Sequence, residues 1–170
     1  MRTVVLPEDL AAKTLLSMLP KSTPSTAWVH DAPGSDTGLI AWGEVARCEV
    51  SGRERFSRAQ RWWVDWLADA DIDDELRVPG SGPVAFASFA FDPNPGSSVV
   101  LVPSTIIGRR NGLTWLTVSA PSGREVRRTI DDTIAQLRHP SVVPSAPVDL
   151  VYGDGAQSIS RWQQAVTESV

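Results

Sequence analysis

The residues best suited to chemistry in this chain are its carboxylates. Asp69, Asp71, Asp73, Asp74 and Glu75 crowd one short run, and Asp131 and Asp132 form a second pair. Alternating carboxylates can ligate a hard cation, but a calcium loop needs its ligands at fixed offsets around a turn-forming glycine. DADIDDEL alternates only in part, contains no glycine and follows a helical pattern, so it reads as a solvated acidic exit from that helix. Histidine and cysteine add little. His30 stands before Asp31 at a strand end, and adjacency alone does not align them for proton transfer. His139, beside Pro140 at a helix end, is placed to complement the helix dipole. Cys48 is the sole cysteine, which excludes an intrachain disulfide and a cysteine-based zinc site. In the β-like run RCEV it reads as a small buried hydrophobe.

No GxSxG elbow presents a serine nucleophile. GSGP, Gly80 to Pro83, precedes a strand instead of joining a strand to a helix, the wrong context for cradling a phosphate. The only lysines, Lys13 and Lys21, lie in or just after the first helical segment, and Arg109 and Arg110 read as ordinary exposed charges beside a turn. A general base, a general acid and an anion clamp are not assembled anywhere. No catalytic, cofactor-binding or metal-binding residue is therefore assigned within the chain.

The elements that would position these groups follow from periodicity. MRTVVLPEDLAAKTLLSMLP reads as a short amphipathic helix, with Pro7 near its first turn and Pro20 ending it. Glu8, Asp9 and Lys13 break any apolar signal-peptide core, and no apolar run reaches a membrane span. TAWVHD and TGLIAWGEVARCEV, flanking the turn APGS, predict two or three strands. Ala59, Trp62, Trp63, Trp66, Leu67 and Ala70 then fall on one helical face, with Ser57 and Gln60 as a capping box. That spacing assigns the three tryptophans to packing.

Pro83 to Phe91 is apolar on both parities, which predicts an interior strand covered on both sides. Ser98 to Arg109 and Leu113 to Ala120 form a hairpin through Asn111-Gly112. Ser122 and Glu125 cap a second helix carrying Val126, Ile130, Ile134 and Leu137 and ending at His139-Pro140. HPSVVPSAPVD, from His139 to Asp149, reads as an extended connector. Ile159, Trp162, Val166 and Val170 mark a last helical stripe that is still running at Val170, as a cut helix would.

The 170 residues suffice for one domain with a real core. A net charge of −4 offers no basic surface for phosphates, so nucleic acid is not expected as a partner, and without an apolar span neither is a membrane. The single cysteine fits a cytoplasmic setting. The fold class is α+β, mainly antiparallel sheet packed by helices.

Three stretches in order carry a resemblance: AWGEVARCEVSGRERF with the tryptophan-rich helix, GPVAFASFAFDP, and VLVPSTIIGRRNGLTWLT. Together they cover about residues 38 to 118 and resemble the N-terminal half of chorismate-utilising enzymes, most of all bacterial isochorismate synthases of menaquinone and siderophore pathways. Ala87 and Ser88 stand where that family usually carries glycines, and being small they keep room for a closely packed layer.

RWQQAVTESV resembles the helix that opens the family's catalytic half. The resemblance implies about half of an α/β sandwich, with residues 1–150 as N-terminal scaffold and 151–170 as connector and start of that helix. It also implies that the water-activating lysine, the glutamate acid, the magnesium-binding glutamates and the carboxylate-holding residues lie beyond Val170. The chain alone is then expected to be inactive and to meet chorismate only with its catalytic half. Rival readings are a stand-alone, non-catalytic interaction domain pairing with a separately encoded catalytic half, and a synthase of salicylate or aminated chorismate.

Overall fold

The first segment departs from the expected helix. Thr3, Val4 and Val5 favour an extended backbone, and β1 (Arg2–Val5) is a strand. Pro7 then starts a single turn of helix, α1 (Glu8–Ala11), followed by a 3-10 turn at Leu15–Met18. In the computed structural model the described residues are 1–21, 23–32, 35–92, 94, 96–139, 153 and 155–169. The connector beyond His139 and the stripe's last residue, Val170, lie outside them.

Chain order continues with β2 (Ser25–Ala32), β3 (Ser35–Trp42), β4 (Ala46–Ser51), α2 (Arg55–Ala68) and β5 (Phe86–Ser88). Then come β6 (Ser97–Val102), β7 (Thr105–Arg110), β8 (Leu113–Val118), α3 (Gly123–Arg138) and α4 (Ile159–Glu168). Five strands form one sheet in the order β1-β8-β7-β3-β2, and three form another in the order β4-β6-β5. Every paired neighbour is antiparallel. The expected α+β class, mainly antiparallel with packed helices, is what the molecule shows.

The β7–β8 hairpin forms as its dipeptide requires. Asn111 and Gly112 both take positive φ, 51° and 77°, the pairing that matches the twist of the flanking strands. The run before it is not one strand. It breaks at Pro103-Ser104, and the chain leaves the three-stranded sheet on β6 to enter the five-stranded sheet on β7.

A cluster of Leu10, Leu15, Ile40, Ile107, Leu116 and Ile130, with buried neighbours, joins the larger sheet to α3 and the N-terminal turns. A smaller one joins Val50 and Val100 to Ala59 of α2, with Cys48 and Trp62 against it. Cys48 is half-buried there, so the role expected for it holds in part.

Two helix starts differ in outcome. The Ser122 hydroxyl accepts from Glu125 N at 3.3 Å, the expected cap of α3. At α2 the cap position is Glu54, and Ser57 lies inside the first turn, donating its hydroxyl to the Glu54 carbonyl at 3.0 Å. The apolar stripe fixed the α2 face but not where the helix begins.

Pro83 to Phe91 is the main correction. Only Phe86–Ser88 pairs, with β6 alone, so β5 is an edge strand and Phe91 is fully exposed. The ladder stops because the backbone is diverted beyond Ser88. Ala90 N donates to Ser98 Oγ at 3.0 Å, and the Ala90 and Phe91 carbonyls turn to the guanidinium of Arg55. The strands covered on both faces are β7, where Thr105 to Gly108 are all buried, and β8, where Thr114 to Val118 are.

Candidate functional site

A concavity of about 590 Å³ lies where β1, the end of α2 and the start of α3 meet. Its volume falls within the roughly 300–1,000 Å³ usual for ligand pockets. The acidic run lines it because its backbone is pinned beside β1. Thr3 N donates to Asp73 O at 2.9 Å, Asp73 N donates to Met1 O at 3.1 Å, and the Met1 amine donates to Asp71 O at 2.6 Å. Trp66 forms one wall, and Ser122 and Gly123 bring the N-terminus of α3 to another.

In this cleft an ion pair forms, and the neighbouring Asp74 is held by hydrogen bonds of its own. Asp73 pairs with Arg2 at 3.2 Å. Asp74 accepts the Ser81 hydroxyl at 2.7 Å and Leu76 N at 3.2 Å. GSGP is thereby a structural loop: Ser81 holds Asp74, Gly82 N donates to the Thr3 hydroxyl, and the Gly80 carbonyl accepts from the Trp115 indole. No proton-transfer pair is built by these contacts.

The other sequence candidates are scattered. Asp131 and Asp132 are exposed on α3, and Asp132 pairs with Arg128 at 3.6 Å. His30 is exposed on the edge strand β2, opposite Thr37. His139 is exposed at the C-terminal cap of α3, the helix end assigned to it. Trp62, Trp63 and Trp66 are half-buried, and Trp63 stacks on Trp66 at 5.4 Å. On β4, the hydrogen bond that Arg47 donates to the Glu49 carboxylate, with the charge of Glu44 beside it, raises the pKa of Arg47 above the ordinary arginine value.

Two arginines carry more than the sequence indicated. Arg110 is exposed as expected, but Arg109 is a clamp. Its Nε donates to the Thr114 hydroxyl at 2.9 Å, and one terminal nitrogen donates to the Ala11 and Lys13 carbonyls at 2.7 and 2.6 Å. It fastens α1 to the hairpin. Arg55, in the GRERF stretch, is buried and holds three backbone carbonyls. A local signal existed for Arg109: it shares a strand face with the fully buried Ile107, two residues away.

Magnesium, implied by the resemblance for a complete enzyme, finds no fitting donor set among the described residues. It takes a near-octahedral shell of oxygens, whereas Asp73 and Asp74 are engaged as above. Among the described residues no three His, Cys, Asp or Glu side chains are grouped to hold a metal ion.

With this geometry in hand, the sequence match is decisive for family. The family model described as chorismate binding enzyme matches residues 6–170. The chain belongs to the chorismate-binding enzyme family. No curated protein and no solved structure matches it. The matched span takes in every element except β1, so membership of the family rests on nearly the whole chain and not only on the three internal stretches. Chorismate is the substrate that this family implies. No helix among the described residues is long and apolar enough to cross a membrane.

Proposed function

We propose that this chorismate-binding family chain is the N-terminal scaffold of an isochorismate synthase-like enzyme, serving menaquinone or siderophore synthesis. Residues 1–150 build the sheets, and residues 151–170 lead into a catalytic half. In the whole enzyme a base-activated water attacks C2 of chorismate while an acid protonates the leaving C4 hydroxyl. Magnesium would clamp a substrate carboxylate there and neutralise its charge. The base, the acid and the metal ligands belong to the catalytic half, as do the residues that would decide between isochorismate, salicylate and an aminated product.

The observation that carries this reading is apolar surface with no cover. Phe91 is fully exposed, Phe56 and Phe89 are exposed and lie 4.7 Å apart, and Ile159, Trp162 and Val166 are exposed along one face of α4. Clustered apolar side chains left open in this way favour a partner that covers them. With magnesium and chorismate supplied, the purified chain is expected to form no isochorismate, read by chromatography of the products. Turnover by the chain alone sinks the reading.

A second reading has its own support. Two hydrophobic clusters form within the chain, and no buried side-chain polar atom lacks a hydrogen bond among the described residues. A stand-alone interaction domain that pairs with a separately encoded catalytic half would look the same. The two part on self-association. The scaffold of a single longer enzyme should associate through its open faces, and Phe91→Ser with Trp162→Ser should return it to a monomer in sedimentation velocity. A parent chain already monomeric with one cooperative melt favours the interaction domain.

A further inference from the structure

We propose that the pocket between the 3-10 turn at Leu15–Met18 and the last turn of α3 binds a small organic anion, a carboxylate on a flat apolar body. The pocket encloses about 220 Å³, below the roughly 300 Å³ at which drug-sized sites begin, so the ligand must be small. Its charge is the first argument. The chain carries only two lysines, and both Lys13 and Lys21 line this one pocket, with His139 adding a ring nitrogen. Among the described residues no carboxylate lines it, although acidic residues outnumber basic ones in the chain as a whole. The local sign is therefore the reverse of the global one.

Preorganisation is the second argument. The Lys13 ammonium donates to the Leu137 carbonyl at the end of α3, which fixes it at the pocket wall. An ammonium has three N–H donors, so that bond leaves two for a ligand. The Lys13 backbone is held as well, through its carbonyl on Arg109.

The walls supply the rest of the specificity. Met18, Trp42 and Leu137 give apolar faces, and Trp42 offers a half-buried indole surface. Inorganic phosphate is better served by arginine forks or a nest of backbone N–H groups, whereas two point charges over an apolar wall suit one carboxylate with a ring behind it. The pocket lies apart from the 590 Å³ cleft, shares none of its lining residues, and does not depend on the isochorismate synthase reading.

Benzoate titrated into the isotopically labelled chain at low salt tests this, with benzamide and inorganic phosphate as controls. Saturable amide shifts are expected at Ser17, Thr133 and Gln136, with benzamide binding about tenfold more weakly for want of its charge. Lys21→Gln, at an exposed side chain that leaves the Lys13–Leu137 bond intact, should weaken benzoate about fivefold while the melt stays unchanged, the size of one exposed charge contact. Equal binding of benzamide shows that charge plays no part. Equal binding of phosphate shows that the apolar wall plays none. Either result, an unaltered affinity in Lys21→Gln, or shifts that never saturate overturns the proposal. Because no chorismate chemistry is read, its failure leaves the proposed function standing.

Discussion

Gly108→Ala should lower the unfolding free energy by about 3 kcal/mol, the upper end of the usual overpacking cost. Gly108 on β7 lies directly opposite Trp115 on β8, and the indole folds back across the glycine. A Cβ there would meet Cε2 and Cζ2 of the ring at 2.3 Å. The ring has nowhere to retreat, being 1 % exposed with its N–H donated to the Gly80 carbonyl at 3.2 Å. On the other side Gly108 pairs with Leu39 of β3, so the strand cannot slide away either.

Gly112→Ala is the matched control. It would meet nothing within 4 Å and would suffer only for its φ of 77°, at about 1 kcal/mol. Trp115→Leu removes the obstacle but empties a buried site, at about 3 kcal/mol by analogy with other large-to-small core changes. The Gly108→Ala/Trp115→Leu double variant should therefore lose clearly less than the sum of its parts, because the two residues share one space. Urea unfolding of the four variants decides it. Equal costs for Gly108→Ala and Gly112→Ala, or strict additivity in the double variant, would remove the ring-on-glycine account.

What was legible in the sequence was whatever a few neighbouring residues decide among themselves. Asn111-Gly112 sets its own φ angles, Ser122 caps its own helix, and the α2 stripe needs only a period of 3.6. What escaped was settled by distant partners. β1 is a strand because β8 pairs with it across more than a hundred residues, and on its other side Met1 and Thr3 pin the acidic run. DADIDDEL is a solvated exit as expected, with Asp69, Asp71, Asp73 and Glu75 exposed, and what escaped is that it also forms one wall of the cleft. The apolar parity of Pro83–Phe91 indicated burial, but the ladder is cut short by Ser98 and Arg55, which periodicity does not register. Arg109 looked like a turn charge because its partners, the Ala11 and Lys13 carbonyls, lie nearly a hundred positions away.

Arg55→Met should also cost about 3 kcal/mol, since hydrogen bonds from a charged donor contribute roughly 1.5–3 kcal/mol each and carbonyls near the surface partly recover water. The guanidinium donates to Ala90 O at 3.0 Å, Phe91 O at 3.1 Å and Gly52 O at 3.1 Å, and sits 4.5 Å from the Phe56 ring centre. Phe56 in turn lies 4.7 Å from Phe89. One buried cation thus joins the turn before α2, the start of that helix and the exit of β5. Methionine keeps the length and the apolar stem, so the loss reports the donors.

Lysine should not rescue. A single ammonium on a flexible stem lacks the planar fork that reaches three carbonyls at once. Hydrogen exchange should locate the damage, with the Ala90 amide, now bonded to Ser98, exchanging faster in Arg55→Met while the β7–β8 hairpin keeps its protection. Full stability in Arg55→Lys, or loss of protection spread evenly over both sheets, would deny the local clamp. The consequence reaches the proposed function, because two of these bonds, to the Ala90 and Phe91 carbonyls, decide where GPVAFASFAFDP leaves the sheet and hold Phe89 and Phe91 at its open edge. If a catalytic half docks on those rings, Arg55 is a positioning residue for the assembled enzyme. Arg55→Met should then weaken that docking while leaving the catalytic half's own groups untouched.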